Sequence, residues 1–217
     1  MRNYIITLLL TVVSTSVHGQ TAVERDGSAS ESYKYEGIHM REFLKLMPDS
    51  IVPLLTHNNI LDFIDFIESG QESAVTNRMH GKSRMTQLED DYARIELTSH
   101  SIATFKLLPQ GADDVLIYMI TTTRTDSLYD SHVEVYRSDW SLAPSANQFE
   151  ILHPDCFTEL TVVPQKSTLH VLEVEPVTLF EGETESERPR KENRCMLLWN
   201  RSSGMFDRKD YESISKP

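Results

Sequence analysis

The apolar and polar positions along the chain change from helical spacing near the start to strand alternation further on. In the helical part, apolar residues recur at three- and four-residue intervals, which places them on one face of a helix. This spacing predicts helices over residues 40–47 and 58–69. Asn58 or Asn59 is expected to cap the second helix, and Gly70 follows it as the residue that closes helices.

After Gly70 the apolar residues recur every second position, as they do in a strand with one face in water. Residues 93–97 and 103–107 alternate in this way and predict a hairpin. Residues 115–120 are continuously apolar, which predicts a strand that is covered on both faces. Further strands or extended segments are predicted at residues 85–88, 133–135, 169–180 and 194–200.

The strands follow one another without long helical crossovers, so the sheet is predicted to be antiparallel. Residues 141–168 read as irregular, and Asp207 reads as the cap of a last short helix that carries Tyr211 and Ile214. We therefore predict an α+β fold with N-terminal helices packed on an antiparallel β-sheet and a short C-terminal helix. The irregular segment or the C-terminal helix is expected to cover the second face of the sheet.

Residues 1–19 have the layout of a cleavable secretory signal. Arg2 is followed by an apolar stretch, and the small residues Val17 and Gly19 precede Gln20. The apolar stretch is shorter than the roughly 20 residues that a membrane-spanning helix needs. We predict cleavage after Gly19 and export to the periplasm or the cell exterior, without a lipid anchor because no cysteine follows the apolar stretch.

Residues 20–37 are polar and low in complexity, and we expect a flexible arm there. Residues 38–217 are then predicted to form a single α+β domain. The net charge of −12 disfavours binding to nucleic acid, since both surfaces are negative. No second apolar stretch is long enough to span a bilayer.

The two cysteines, Cys156 and Cys195, leave two alternatives open. Export permits a disulfide between them, which would close a loop of about 40 residues and stabilise the fold by roughly 4 kcal/mol. The competing interpretation is a buried free thiol at Cys195, which lies in an apolar segment. Their wide separation does not match a zinc motif.

The sequence contains no motif that assigns a catalytic residue, a metal or a cofactor. Gly81, Lys82 and Ser83 resemble the end of a phosphate-binding loop, but Thr76 occupies the position of its first glycine. A hairpin in which Gly81 has a positive φ is the preferred interpretation. The chain lacks the Gly-x-Ser-x-Gly motif of serine hydrolases, and its eight histidines lack zinc-binding spacing.

Short segments that occur in a fixed order carry a resemblance to a known family. The longest read MPDSIVPLLT at 47–56, NILDFIDF at 59–66 and GKSRMTQL at 81–88, and the others are VTNR at 75–78, DDY at 90–92, KLLP at 106–109, SDW at 138–140 and DY at 210–211. In this order they resemble a family of exported proteins from Bacteroidales that is catalogued only as a domain of unknown function. The resemblance extends from residue 40 to 211 and departs from the pattern around 124–131 and 181–193. It implies an exported protein of that lineage and no particular activity.

Two tripeptides resemble the Asp-Ser/Thr-aliphatic sites that Bacteroidales use for O-glycosylation. They are centred on Ser50 and on Ser127. Ser127 lies in a predicted polar loop and is the stronger candidate.

Two functions remain after the sequence analysis. The first is a non-catalytic binding or accessory module of the cell envelope, with a protein or a glycan as its partner. Tyr129, Tyr136 and Trp140 are candidate aromatic residues for a binding face, with core packing as the alternative. The second is a hydrolase of envelope or dietary polymers that uses carboxylates from separate strands. Convergent carboxylates with perturbed pKa values in a deep cleft would favour the hydrolase.

Overall fold

The computed structural model of the chain describes residues 39–111, 114–125, 128–143, 152–176 and 191–211. The predicted signal, the predicted arm and Ser127 lie outside these residues. Within the described residues there are two short helices, α1 (Met40–Lys45) and α2 (His57–Glu68), followed by ten strands.

The strands form two antiparallel sheets, each with its strands in chain order. The six-stranded sheet contains β1 (Ala74–Thr76), β2 (Lys82–Leu88), β3 (Tyr92–Glu96), β4 (Ser101–Gln110), β5 (Asp114–Arg124) and β6 (Tyr129–Tyr136). The four-stranded sheet contains β7 (Phe157–Val163), β8 (Thr168–Val174), β9 (Glu192–Asn200) and β10 (Met205–Asp210).

The predicted α+β class with a single sheet is wrong, because the described chain is mostly β and has two sheets. Strand β7 lies inside the segment that was predicted to be irregular, and β10 replaces the start of the helix predicted at Asp207. Strand β10 lies at the edge of its sheet, where one buried apolar side chain, Phe206, accompanies four charged residues. Such a strand carries too little apolar alternation to be recognised from sequence.

Helix α2 begins at His57, and the predicted cap at Asn58 or Asn59 was wrong. Thr56 is the N-cap: its hydroxyl accepts a hydrogen bond from the Asn59 amide at 3.1 Å, and the Asn59 side chain accepts one from the Thr56 amide at 3.0 Å. This reciprocal pair satisfies two amides that have no partner within the helix. Gly70 has φ of +69° just after the helix, as predicted for a closing glycine.

Strand β5 is buried from both sides, as its continuous apolar run predicts. Val115, Ile117 and Met119 belong to a core cluster that also contains buried residues of α1 and α2. Leu116 and Tyr118 belong to a second cluster, which contains the inward residues of the four-stranded sheet. The second face of the large sheet is therefore covered by another sheet, rather than by the irregular segment or C-terminal helix that we expected.

Side chains of β9 and the β9–β10 turn attach the small sheet to the β4–β5 turn of the large sheet. The Trp199 indole donates to the Pro109 carbonyl at 2.6 Å, and the Arg201 side chain donates to the Gly111 carbonyl at 2.6 Å. The ring of Trp199 also packs edge-on against Tyr118, with centroids 5.5 Å apart. These contacts fix the two sheets relative to each other at one end of β4.

Replacing Ile64 by valine is expected to lower the free energy of unfolding by about 1 kcal/mol, because it removes one buried methylene from the core. Ile64 is fully buried on α2, whereas Ile67 on the same helix is only half-buried. Ile67→Val is the matched control and should cost less than half as much. Urea unfolding of the two variants measures the difference, and equal costs would contradict the packing described for α2.

Candidate functional site

A row of side chains crosses all six strands of the large sheet, and five of its six residues form the floor of a groove. Pairing places these residues side by side: Ala74, Arg84, Glu96, Ile102, Thr122 and Ser131. Cross-strand partners project from the same face of a sheet, so the six side chains form a continuous line. The four inter-strand steps from Ala74 to Thr122, at about 4.8 Å each, make the floor roughly 19 Å long. The floor therefore has the length and shape to receive an extended ligand.

Two adjoining depressions above this row make up what we call the polar groove. The larger has a volume of about 470 Å³ and lies between strands β3–β6 and the edge of β7, and the smaller has a volume of about 440 Å³ and lies over β1–β3. Glu96, Thr98 and Ser99 line both depressions, which makes the groove continuous at the β3–β4 turn. The other lining residues are Glu72, Ala74, Lys82, Ser83, Arg84, Tyr92, Arg94, His100, Ile102, Thr104, Thr122, Arg124, Tyr129, Glu159, Leu160, Thr161 and Val162.

Glu96 organises the charges in the middle of the groove. Its carboxylate accepts hydrogen bonds from Arg84 at 3.0 Å and from Arg94 at 3.5 Å. Arg84 also lies 4.0 Å from Glu72, and Arg94 donates to the Thr86 hydroxyl at 3.3 Å. This network holds the long arginine side chains in place, so the groove presents a pre-arranged surface rather than mobile charges.

Arg124 and Tyr129 form one end of the larger depression. They are the last pair of residues in the β5–β6 ladder, and the guanidinium of Arg124 lies 5.7 Å from the centre of the Tyr129 ring. The Arg124 amide donates to the His100 carbonyl at 2.7 Å, which ties the end of β5 to the β3–β4 turn. This distance lies within the range of a cation–π interaction, which favours a position of the guanidinium over the ring.

Glu159 stands on β7, where it borders both the polar groove and a smaller depression of about 190 Å³ on the outer face of the small sheet. Burial raises the pKa of Glu159 above the usual range of a glutamate, while the charge of Arg194 acts in the opposite direction. In the outer depression, the Tyr211 hydroxyl and the His170 ring nitrogen Nδ1 lie 3.1 Å apart. Glu159 and Thr161 are shared by these two surfaces.

Strand β7 pairs with β8 on one side, and on its free edge it is bonded to side chains of β6. The Asp130 carboxylate accepts a hydrogen bond from the Thr158 amide at 3.3 Å, and the Ser131 hydroxyl accepts one from the Leu160 amide at 3.0 Å. The Ser131 hydroxyl also lies 2.9 Å from that of Thr122, on the groove floor. The wall and the floor of the groove are therefore connected by hydrogen bonds.

Neither depression of the polar groove is lined by Ser50, Cys156 or Cys195, the described residues that the sequence singled out for modification or for a disulfide. Ser50 is exposed in the turn after α1, next to Asp49, whose carboxylate accepts from the His57 amide at 2.8 Å. Cys156 is half-buried before β7 and Cys195 is buried in β9, both as free cysteines with β8 between their strands. Burial raises the pKa of both thiols. Modification of Ser50 and the disulfide stay predictions.

The three candidate aromatic residues are divided between the groove and the core. Tyr129 lines the groove, whereas Tyr136 and Trp140 are buried in the core cluster that contains α1 and α2. The Trp140 indole donates to the Phe43 carbonyl at 2.9 Å, which anchors α1.

In the β1–β2 hairpin, the positive φ predicted for Gly81 belongs to His80, at +61°. That part of the hairpin prediction was wrong by one residue.

Two further observations concern ligands and membranes. Among the described residues, no group of three or more His, Cys, Asp or Glu side chains is arranged to hold a metal ion. No helix in the described part of the chain is long and apolar enough to cross a membrane.

Known proteins resemble the chain in two ways, through a family model that matches its sequence and through a solved structure with a similar fold. A family model described as "Protein of unknown function (DUF3256)" matches residues 34–173. Comparison with curated proteins gives no match. Among solved structures, the fold is similar to that of a domain of an uncharacterized protein from Porphyromonas gingivalis W83, with a TM-score of 0.61 and 16% sequence identity over 78% of this chain and 96% of that one. Both findings confirm the resemblance to a Bacteroidales family of unknown function.

Proposed function

The chain belongs to the DUF3256 family of proteins of unknown function, and from this premise we propose that it is an exported, non-catalytic module that binds a glycan chain of the cell envelope in its polar groove. The export part rests on the N-terminal pattern of Arg2, an apolar stretch and small residues before Gln20. The binding part rests on one observation, the row of six side chains, four of them polar or charged, that crosses six strands.

A glycan fits this groove better than a protein partner does. Protein interfaces are anchored by aromatic or aliphatic side chains that fill apolar pockets. The aliphatic side chains of the groove are few, and Leu160 and Val162 are already buried against the large sheet. A sugar chain presents hydroxyls that both donate and accept hydrogen bonds. Thr98, Ser99 and the Arg–Glu network around Glu96 offer both kinds of partner along the whole length of the groove.

The charges of the groove do not favour hydrolysis. Glycoside hydrolysis uses two carboxyl groups, one as an acid and the other as a base or nucleophile. Among the described groove carboxylates, Glu96 is held by two arginines and Glu72 lies 4.0 Å from one of them. Glu159 is the one without a cation within 4.0 Å among the described residues, and its raised pKa suits a general acid. The other two groove carboxylates are engaged with arginines, so Glu159 has no second carboxylate to act as base or nucleophile. A binding module needs no such pair.

An array of envelope and plant oligosaccharides, probed with the chain from Gln20 onward, tests the proposal. Ser99→Trp fills the junction of the two depressions, because Ser99 is exposed and lines both. We expect the wild-type protein to retain at least one oligosaccharide, and Ser99→Trp to weaken its binding tenfold or more in calorimetry. Ser138→Trp is the matched control, because Ser138 is equally exposed in the turn at the other end of β6. It should bind as wild type does.

Two results would count against the proposal. An array without any bound oligosaccharide would remove the glycan as partner. Equal affinity of wild type and Ser99→Trp would place the binding site somewhere other than the polar groove.

A further inference from the structure

The four cations of the polar groove differ in how far their charge is already neutralised. Arg84 and Arg94 both bond to the carboxylate of Glu96, and Lys82 donates to the Thr76 hydroxyl at 3.3 Å. Arg124 has no carboxylate within 4.0 Å among the described residues, and its guanidinium instead lies over the ring of Tyr129. Lys82 likewise has no carboxylate within 4.0 Å among the described residues, so these two cations keep a charge that is available to a ligand. Of the two, Arg124 is the one with a planar set of donors.

The surroundings of Arg124 suit an anionic group. A guanidinium is a planar set of N–H donors, the geometry that binds a carboxylate or a sulfate through two parallel hydrogen bonds. The amide of Arg124 is bonded to the His100 carbonyl, and the same turn carries the hydroxyls of Thr98 and Ser99 into the groove. Within the turn these hydroxyls already bond to the side chains of Ser101 and His100, so a ligand would share or replace those bonds.

Resting on the proposed function, we infer that the bound glycan carries an anionic substituent, a carboxylate or a sulfate, and that Arg124 holds this group. The rest of the protein limits the charge of the ligand. The chain has a net charge of −12, and a ligand with many negative charges would be repelled by its surface. The groove itself contains the carboxylates of Glu72, Glu96 and Glu159. The ligand that fits is a mostly neutral chain with an isolated acidic unit at the Arg124 end.

The test uses an oligosaccharide array built from matched pairs, in which each uronate-bearing or sulfated chain stands beside its carboxyl-reduced or desulfated counterpart. Wild-type protein should bind the acidic member of a pair at least tenfold more tightly than the neutral member. Arg124→Ala should bind both members equally, and Arg124→Lys should restore part of the preference because it returns the charge without the flat donor edge. Arg41→Ala is the control, since Arg41 lies on α1 and is paired with Glu68 at 2.7 Å. It should keep the full preference.

Each outcome separates the inference from the proposed function. Equal binding of acidic and neutral members by wild type would overturn the inference and leave the glycan proposal standing. A preference that survives Arg124→Ala would show that another residue holds the anion. If no glycan on the array bound and a glutamate-rich peptide bound to wild type but not to Arg124→Ala, the partner would be an acidic protein. That result would overturn both the inference and the proposed function. Arg124 is exposed, so thermal unfolding of Arg124→Ala should match wild type and keep the comparison valid.

Discussion

Glu173→Gln is expected to lower the free energy of unfolding by about 3 kcal/mol, because it removes the negative charge from a buried ion pair. The Glu173 side chain on β8 is 2% exposed and accepts hydrogen bonds from Arg208 at 3.0 and 3.3 Å. It also accepts from the His153 amide at 2.7 Å and from the Asn193 side chain at 2.9 Å. Glutamine has an NH2 group in place of one carboxylate oxygen, and this group would face the N–H donors of Arg208, His153 or Asn193. The partly buried charge of Arg208 would also lose the carboxylate of Glu173.

Glu192→Gln is the matched control for this prediction. Glu192 on β9 also pairs with an arginine, Arg194, at 3.0 Å, but its side chain is 47% exposed. Exposed ion pairs contribute less than about 1 kcal/mol, so the control should unfold nearly as wild type does. Denaturant unfolding of the two variants measures the contrast. A loss below 1 kcal/mol for Glu173→Gln would mean that water reaches the pair.

The same carboxylate predicts a dependence of stability on pH. Burial by itself would raise the pKa of Glu173, but the hydrogen bonds from Arg208, His153 and Asn193 outweigh it and lower the pKa below the usual range. Unfolding exposes Glu173 and returns its pKa to about 4.3. The stabilisation is therefore complete above about pH 4.3 and is lost as the pH falls through the lowered folded pKa. The gap in stability between wild type and Glu173→Gln should narrow over that acidic range.

The parts of the fold that could be predicted are those whose signal is local. The apolar run at 115–120 predicts a strand covered on both faces, since no other arrangement hides six consecutive apolar side chains, and β5 is such a strand. The closing glycine of α2 is equally local. Strand β10 has no such signal, because it is defined by its pairing with β9 through six residue pairs that begin with Met205 opposite Asn200. Without knowledge of the pairing with β9, the charged residues of β10 are equally typical of the exposed face of a helix.

The candidate site could be predicted only in part, for a similar reason. The alternation in 93–97 shows that Arg94 and Glu96 point away from the core on one strand. Arg84, Glu96 and Thr122 lie in one row because of the register of four strands. Register is set by pairing and turn geometry rather than by the composition of any one strand. The wall at Glu159 belongs to β7, which the prolines around it concealed. The groove is therefore a property of the assembled sheets.

Lys106 is a second buried charge, and it connects the two sheets. Its side chain on β4 is 2% exposed and donates to the Asp91 carboxylate at 2.7 Å, in the β2–β3 turn. It also donates to the carbonyl of Pro164, which follows β7 in the turn that leads to β8. Nearby, the Gln165 side chain donates to Glu89 at 3.3 Å. One ammonium thus holds a turn of the small sheet against a turn of the large one.

Lys106→Ala is expected to lower the free energy of unfolding by about 3 kcal/mol, because it leaves a cavity and removes the donor from the Pro164 carbonyl. Lys106→Met should lose about 1 kcal/mol, since its thioether chain refills most of the volume and only the polar contacts are missing. Lys45→Ala is the exposed control, because Lys45 pairs with Glu42 on the surface of α1. Equal losses for the alanine and methionine variants would mean that the polar contacts, rather than the packing of the chain, account for the effect.

The comparison of wild type with Lys106→Met over a range of pH separates the charge of Lys106 from its shape. Burial lowers the pKa of Lys106 below its usual range, although hydrogen bonding to Asp91 and its charge act to raise it. In the unfolded chain the ammonium keeps its proton up to about pH 10.4. Between the lowered folded pKa and that value the unfolded state binds more protons, so the stability of wild type relative to Lys106→Met should rise with pH. The other titrating groups are common to both proteins and cancel in the difference. A relative stability that falls with pH in this range would mean that the ion pair with Asp91 outweighs the cost of burying the charge.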